Sequence, residues 1–387
     1  MEDYSQPEER RKIKVVNLMN TGNKSETASK KPVPAINILK IQGNYLVVGS
    51  SNGSIRFYDF QYTIVAWFED IGIGNITSIS FSRRSPAYGK SIDEDHSKSS
   101  FDCPDFIIVD SECTVHMLRA SQFDQIEAEQ KKPEILMKLL KSPIRCMAVR
   151  PNSNYIAISC KNGNLYEWDY YEKTPILQPL KCWEEKYIPT CIEYSPDGKF
   201  LAVANSNGVI NFFDYKKGDW QPFSQSLQVS STQDHIPKVE ILTFAPDSKH
   251  LAVADHLMYV SLFKIDHKFG DPEQPKEWQF VLKNRAHLGK IRALAFGETF
   301  DEHGERLKLF SIGEDKRLVE YDIYASQGKS GDERLAVTSI FQIEQETNPC
   351  ACIWYPINQL KENVLLTVNE DYKIKLWNTN QPDQKGI

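Results

Sequence analysis

No run of about 18 apolar residues occurs in this 387-residue chain, so no stretch is suited to cross a bilayer as a helix. The opening residues Met1–Lys14 lack the apolar stretch of a secretory signal and are polar and charged instead. A dominant charge is lacking too. The 46 basic and 52 acidic residues leave a formal −6 spread along the chain, which argues for neither nucleic acid nor a membrane as partner. The eight histidines are scattered, with no two at ligand spacing, so no metal or cofactor is expected. Eight cysteines without a secretory signal read as reduced thiols. Cys146, Cys191, Cys350 and Cys352 fall within apolar strand patterns, where a free thiol behaves as a small hydrophobe. Together these absences predict a cytosolic or cytoskeletal protein.

What the sequence has is repetition. One unit returns seven times, most clearly as PTCIEYSPDGKFLAVANSNGVINFFDY over Pro189–Tyr215. A strand meets a Pro-Asp-Gly turn, then a second strand, then Asn207-Gly208, then a third strand. The runs are rich in β-branched and aromatic residues, and Asn-Gly is a tight hairpin signal because both central positions need positive φ. The other copies are Ile36–Phe60, Ile144–Tyr170, Val239–Ile265, a split sixth unit ending at Ile323, and a seventh ending at Asn378. The second copy is degenerate: ITSISFS, a long polar insertion, then DFIIVDSECTVHMLRA to Ala120. The copies recur every 45 to 60 residues, as blades of about 40–45 residues with loop insertions would.

A fourth, outer strand should follow each third strand. Candidates are IVAWFE, ILMKLL, WQFVLK and LAVTSIFQI after the first, second, fifth and sixth units. The seventh has none after Asn378, whereas the N-terminal arm holds a spare strand, Lys12–Met19. Pairing that strand into the last blade closes the ring and removes exposed edges. The expected fold is therefore all-β: a seven-bladed propeller closed by its N-terminal strand. Its divisions are an arm over 1–35 containing the closing strand 12–19, a propeller over 36–380, and a tail over 381–387.

The blades resemble WD repeats. Trp168-Asp169 is a literal Trp-Asp pair; Tyr58-Asp59, Phe213-Asp214, Tyr321-Asp322 and Trp377-Asn378 fill the same slot. His287, in RAHLGKIRALAF, stands where that family places its Gly-His pair, and Asp315 and Asp371 match its turn aspartate. The resemblance implies an intrablade network of His287, Ser311, Asp315 and Tyr321 in the sixth unit. Most other units lack those residues, so apolar packing alone is expected to hold them.

Other motifs have plain readings. Gly49-Ser50-Ser51-Asn52-Gly53 spells a nucleophile elbow, but no helical period follows, and the matching positions elsewhere are hairpin turns. Cys350 and Cys352 should share one strand face, without the second pair a zinc site needs. Asp301-Glu302-His303-Gly304 is too short for a calcium loop and reads as a hairpin tip. Asp93-Glu94-Asp95-His96 lies in the Ser- and Lys-rich insertion Arg83–Cys103, read as a solvated loop, with partner contact as the alternative. The basic residues Arg10-Arg11-Lys12 and Lys30-Lys31 could attract an acidic partner, although Glu8 and Glu9 offset them. No catalytic residue and no cofactor-binding residue is expected.

The phrases SIGEDKRLVEYDIY and ACIWYPINQLKENVLLTVNEDYKIKLWN are more specific. They are similar to the second propeller of the cilia- and flagella-associated protein 251 family, WD-repeat components of motile axonemes at the base of the third radial spoke. The resemblance implies a non-enzymatic scaffold whose partners are radial spoke and spoke-base proteins, with doublet-microtubule-associated proteins as further candidates. Members usually carry another propeller before this one and an EF-hand-like tail after it. Only about 35 residues precede the first blade here, too few for a second propeller, and the sequence ends almost immediately after the last strand, so calcium binding is not carried over. An adaptor role in another complex, such as a ubiquitin ligase, a transport or an RNA-processing assembly, is the alternative.

Overall fold

Each repeat folds into one antiparallel sheet because its runs suit a pleated, half-buried surface and its breaks are turn residues. The computed structural model describes residues 12–18, 34–81, 103–112, 114–119, 133–137, 144–151, 153–175, 180–182, 187–216, 219–222, 226–229, 236–267, 276–301, 304–324, 335–356 and 363–379. They form seven sheets, each ordered from an inner strand outward in chain order, except at the closure.

Blade one comprises Ile36–Gln42, Tyr45–Ser50, Ile55–Tyr58 and Ile64–Phe68; blade two comprises Ile76–Phe81, Phe106–Asp110, Val115–Leu118 and Glu134–Met137. Blades three and four begin with Ile144–Val149 and Pro189–Tyr194. Their outer edges, for which the sequence offered no candidate, are each split in two: Thr174–Pro175 with Leu180–Lys181, and Asp219–Pro222 with Leu227–Gln228. Blade five runs from Val239–Phe244 to the outer Lys276–Asn284, and blade six from Ile291–Asp301 to Ala336–Gln342. Blade seven has Pro349–Pro356, Asn363–Asn369 and Lys373–Asn378, and its outer strand is Lys12–Asn17. That strand runs antiparallel to the third, with Val16 opposite Ile374 and Asn17 opposite Lys373. It ends two residues before the expected limit, and Leu18 N–H then donates to the Tyr372 carbonyl at 3.2 Å.

The core is divided into layers between neighbouring blades. Blades one and two share Phe57, Phe68 and Phe106, whose rings meet edge to face at 5.5–6.2 Å. Blades seven and one share Leu46, Val48, Leu366 and Ile374, which locks the closure from both sides. Burying one such side chain stabilises by roughly 1.5–3 kcal/mol. Because each sheet is covered on both faces, the strands read as near-continuous apolar runs such as LVVG and LAVA.

Every inner strand bulges at the same place. The register slips between Ile36 and Ile38, and likewise at Ile76/Ser78, Ile144/Cys146, Pro189/Cys191, Val239/Ile241, Ile291/Ala293 and Pro349/Ala351. A bulge leaves one residue unpaired and re-aims its side chain. The seven bulges therefore set Asn37, Thr77, Arg145, Thr190, Glu240, Arg292 and Cys350 in a ring around one end of the axis.

Candidate functional site

The four residues singled out in the sixth unit come together. His287 stands in the loop entering blade six, Ser311 in its second strand, Asp315 in the following turn and Tyr321 in its third strand. His287 Nδ1 lies 2.9 and 3.1 Å from the two Asp315 oxygens, and its Nε2 lies 2.6 Å from Ser311 Oγ. Ser311 Oγ is in turn 3.0 Å from the Tyr321 hydroxyl. Asp315 also accepts the backbone N–H of Leu288 at 2.9 Å and of Arg317 at 3.3 Å. Burial opposes its ionisation, but these bonds and His287 together hold its carboxyl below the usual range. The backbone is drawn in tightly: a Cβ at Gly313 would sit 2.7 Å from His287 Nδ1, and one at Gly289 2.8 Å from Asp315 N.

Carboxylate, imidazole and hydroxyl stand in the order of a nucleophilic triad. Ser311, however, is fully buried and shares its oxygen with Tyr321, so no substrate atom can approach it. The arrangement ties a loop to a turn.

The expectation that apolar packing alone holds the other blades is corrected by their turns. In blades two, four, five and seven the last residue of the second strand is Asp110, Asn205, Asp255 or Asn369. Each side chain accepts backbone N–H groups two and four residues ahead, at 2.9–3.2 Å. Blades one and three use the residue two further on: Asn52 accepts from Ser54 N–H, and Asn162 from Asn164 N–H. Blade two adds a buried pair, His116 Nε2 to Asp110 Oδ2 at 2.9 Å. Asp59, Asp169 and Asp322, in the Trp-Asp slot, likewise cap the turns that follow them. The Asx residues that end four of the second strands or follow two others were visible in the sequence, but their role depends on a turn geometry the letters do not carry.

The remaining motifs fall as follows. Gly49–Gly53 is a hairpin turn. Gly53 has φ of 83° and a Cβ there would strike the Ile73 carbonyl, while Ser50 is buried against the Tyr372 hydroxyl at 3.1 Å. Cys350 and Cys352 do not share a face, because the bulge at Pro349/Ala351 turns them apart. Cys350 packs toward blade one and Cys352 toward blade six. Burial pushes both thiols up to about 12, so they stay protonated. Glu302, His303, the insertion 82–102, Arg10-Arg11 and Lys30-Lys31 lie outside the described residues. Among the described residues no group of three metal-ligating side chains gathers.

Along the axis, blades one and four face each other with Lys40 and Glu193. Burial raises the Glu193 carboxyl to about 8, against the opposing pull of the Phe244 N–H at 3.4 Å and of Lys40. Burial correspondingly lowers the Lys40 ammonium.

Comparison with known proteins converges on this architecture. The model of the WD domain, G-beta repeat, matches residues 136–169 and 177–214, which take in the three inner strands of blades three and four. Cilia- and flagella-associated protein 251 of Tetrahymena thermophila is 49% identical over 97% of this chain. The chain is a WD-repeat β-propeller homologous to cilia- and flagella-associated protein 251. The mouse protein of the same name is 27% identical over 89% of the propeller, and that of Chlamydomonas reinhardtii 26% over 76%. The propeller spans 40% of the Tetrahymena relative, 25% of the mouse one and 34% of the Chlamydomonas one. The crystal structure of the Myceliophteria_thermophila Cps50 (Swd1) beta-propeller domain superposes with a TM-score of 0.62. It covers 91% of this chain and 98% of its own at 13% identity, a likeness of fold alone.

Proposed function

We propose that this propeller is a non-catalytic structural scaffold of the motile-cilium axoneme, docking radial spoke proteins at the third spoke base onto the doublet microtubule. The observation that carries the reading is the 49% identity to the Tetrahymena relative, which extends over 97% of the chain instead of a few repeats. The fold supports it physically. Seven sheets locked by buried layers make a rigid disc, and its two faces and rim offer several partners separate surfaces. Linked contacts of that kind raise effective concentration and make a component resist extraction.

The test is fractionation of a tagged copy. Detergent should release soluble adaptors and leave this chain with washed doublets, and moderate salt should not strip it, because screening weakens exposed charge pairs far more than buried interfaces. Recovery in the cytosol of detergent-opened cells, with none in washed axonemes, would refute the scaffold.

A further inference from the structure

Two adjacent blades are entered by the same phrase: His-Ile-Pro-Lys-Val-Glu-Ile-Leu over 235–242 and His-Leu-Gly-Lys-Ile-Arg-Ala-Leu over 287–294. Ile236 and Leu288 therefore hold equivalent places, and both are turned to solvent, at 56% and 74% exposure. Leu288 is the most exposed large apolar side chain among the described residues. Neither sits on a loose segment. The Leu288 N–H is bound by Asp315, and beyond Ile236 the Lys238 N–H donates to His256 Nδ1 at 2.8 Å while His256 N–H donates back to the Lys238 carbonyl at 3.0 Å. An aliphatic side chain held rigidly in water leaves apolar area uncovered with little chain entropy left to lose on binding.

Two residues after each aliphatic stands a half-exposed lysine, Lys238 or Lys290. With Arg145, Arg292, Thr190 and Glu240 they line a cavity of about 460 Å³ at the axial mouth. Four cations thus face one carboxylate in the lining. Glu240 is shared by Lys238 at 3.8 Å and Lys290 at 3.2 Å, while Arg292 reaches outward to Glu314 at 2.8 Å. Arg145 is exposed and has no carboxylate partner among the described residues. The bulges at Arg145, Thr190, Glu240 and Arg292 bring these side chains to the mouth and concentrate the charge there.

We infer that this mouth on blades three to six binds an extended acidic segment of another protein, whose carboxylates enter the basic cavity while its aliphatic side chains cover Leu288 and Ile236. Charge complementarity selects the carboxylates, and the paired aliphatic residues distinguish such a segment from a bare polyanion. The inference goes beyond the ciliary reading and does not need it. It is tested on purified protein, whereas that reading is tested in cells.

The probe is a short fluorescein-labelled peptide in which glutamates alternate with leucines, followed by anisotropy, with an all-glutamate peptide and heparin as comparisons. Binding should weaken with salt, and Lys290→Glu and Arg292→Glu should each weaken it about tenfold. Lys249→Glu, the same charge change in the turn between the first two strands of blade five, should leave it unchanged. Leu288→Ser should weaken binding of the alternating peptide several-fold and leave the all-glutamate peptide as before. Melting curves check that each variant is folded, and Lys290→Ala with Arg292→Ala replaces any reversal that is not. A photo-crosslinker in the peptide should label residues near 236–240 and 288–292. The inference is overturned by any of four results: no binding to the wild type, equal loss from Lys249→Glu, equal affinity for both peptides, or far tighter binding of heparin than of the alternating peptide.

Discussion

In blade six the loop entering the inner strand is tied to the turn by His287 and Asp315, with Ser311 and Tyr321 continuing the chain inward. In blade seven the carboxylate has moved from turn to loop. Glu344 accepts from Asn369 Nδ2 at 3.1 Å and pairs with Lys375 at 2.8 Å, and Trp377 Nε1 donates to Thr367 Oγ1 at 2.9 Å where blade six has Tyr321 and Ser311. Asp371, which aligns with Asp315 by letter, is half-exposed, and among the described residues its carboxylate meets only Lys373, at 3.3 Å. The turn amides it would serve are already taken by Asn369. What the two blades share is a buried carboxylate joining loop to turn; which residue supplies it is free to change.

The strongest way to break this comparison is to remove what blade seven has and blade six does not, its borrowed outer strand. Deleting Met1–Asn20 exposes a sheet edge and removes Leu18 from the apolar layer it shares with Leu366 and Leu376. The melting temperature should fall by more than about 5 °C, with aggregation. Unchanged calorimetric melting would show that blade seven does not depend on its closure.

Asp315→Ala comes next. It strips the acceptor from His287 Nδ1, Leu288 N–H and Arg317 N–H, which should cost about 2–3 kcal/mol in denaturant unfolding. Because the folded carboxyl lies below its usual range, this contribution is present at neutral pH and lost as pH falls through the acid range. Wild type and variant should therefore converge in acid.

In blade seven Asn369→Ala should cost about 1–2 kcal/mol, since two turn amides lose their acceptor, and Asp371→Ala less than about 0.5 kcal/mol. Equal losses from Asp315→Ala and Asp371→Ala would dissolve the distinction between the blades.

Outside the anchors of these two blades, an effect that appears only as pH rises is expected from the carboxylate that faces Lys40. Glu193 has its folded value raised to about 8 from an ordinary 4.5, so its stabilising contribution is full below the ordinary value and lost as pH rises through 8. Glu193→Gln keeps an acceptor for the Phe244 N–H and has nothing to ionise. Thermal melts should show it level with wild type near pH 5 and ahead by only about 1 kcal/mol above pH 8, because solvent in the axis screens part of the Glu193 charge. A constant difference across that range would show that the carboxyl does not titrate there.

Much of the fold was legible. Blade count, the three-strand unit and the partner of Lys12–Asn17 followed from β-branched and aromatic runs, Asx-Gly breaks and one missing strand, all local signals. The outer edges of blades three and four were not legible, because pieces of two to four residues such as Thr174–Pro175 carry no period of their own and pair only because a third strand is already there. The His287 network was readable from a family pattern, whereas the substitute in blade seven was not. Nothing in the letters distinguishes Glu344 from any other loop glutamate.

The sequence by itself determined that this chain repeats a unit of three strands and their turns seven times and leaves a spare strand to close the ring, because those choices rest on propensities within a few residues. Tertiary structure alone decided which bulged residue faces the axial mouth, which carboxylate anchors the loops of blades six and seven, that Lys40 bears on Glu193 across the axis, and that Ser50 is buried against Tyr372, 322 positions away. Those pairings appear only when ring closure brings distant segments together and burial forces each polar group to find a partner.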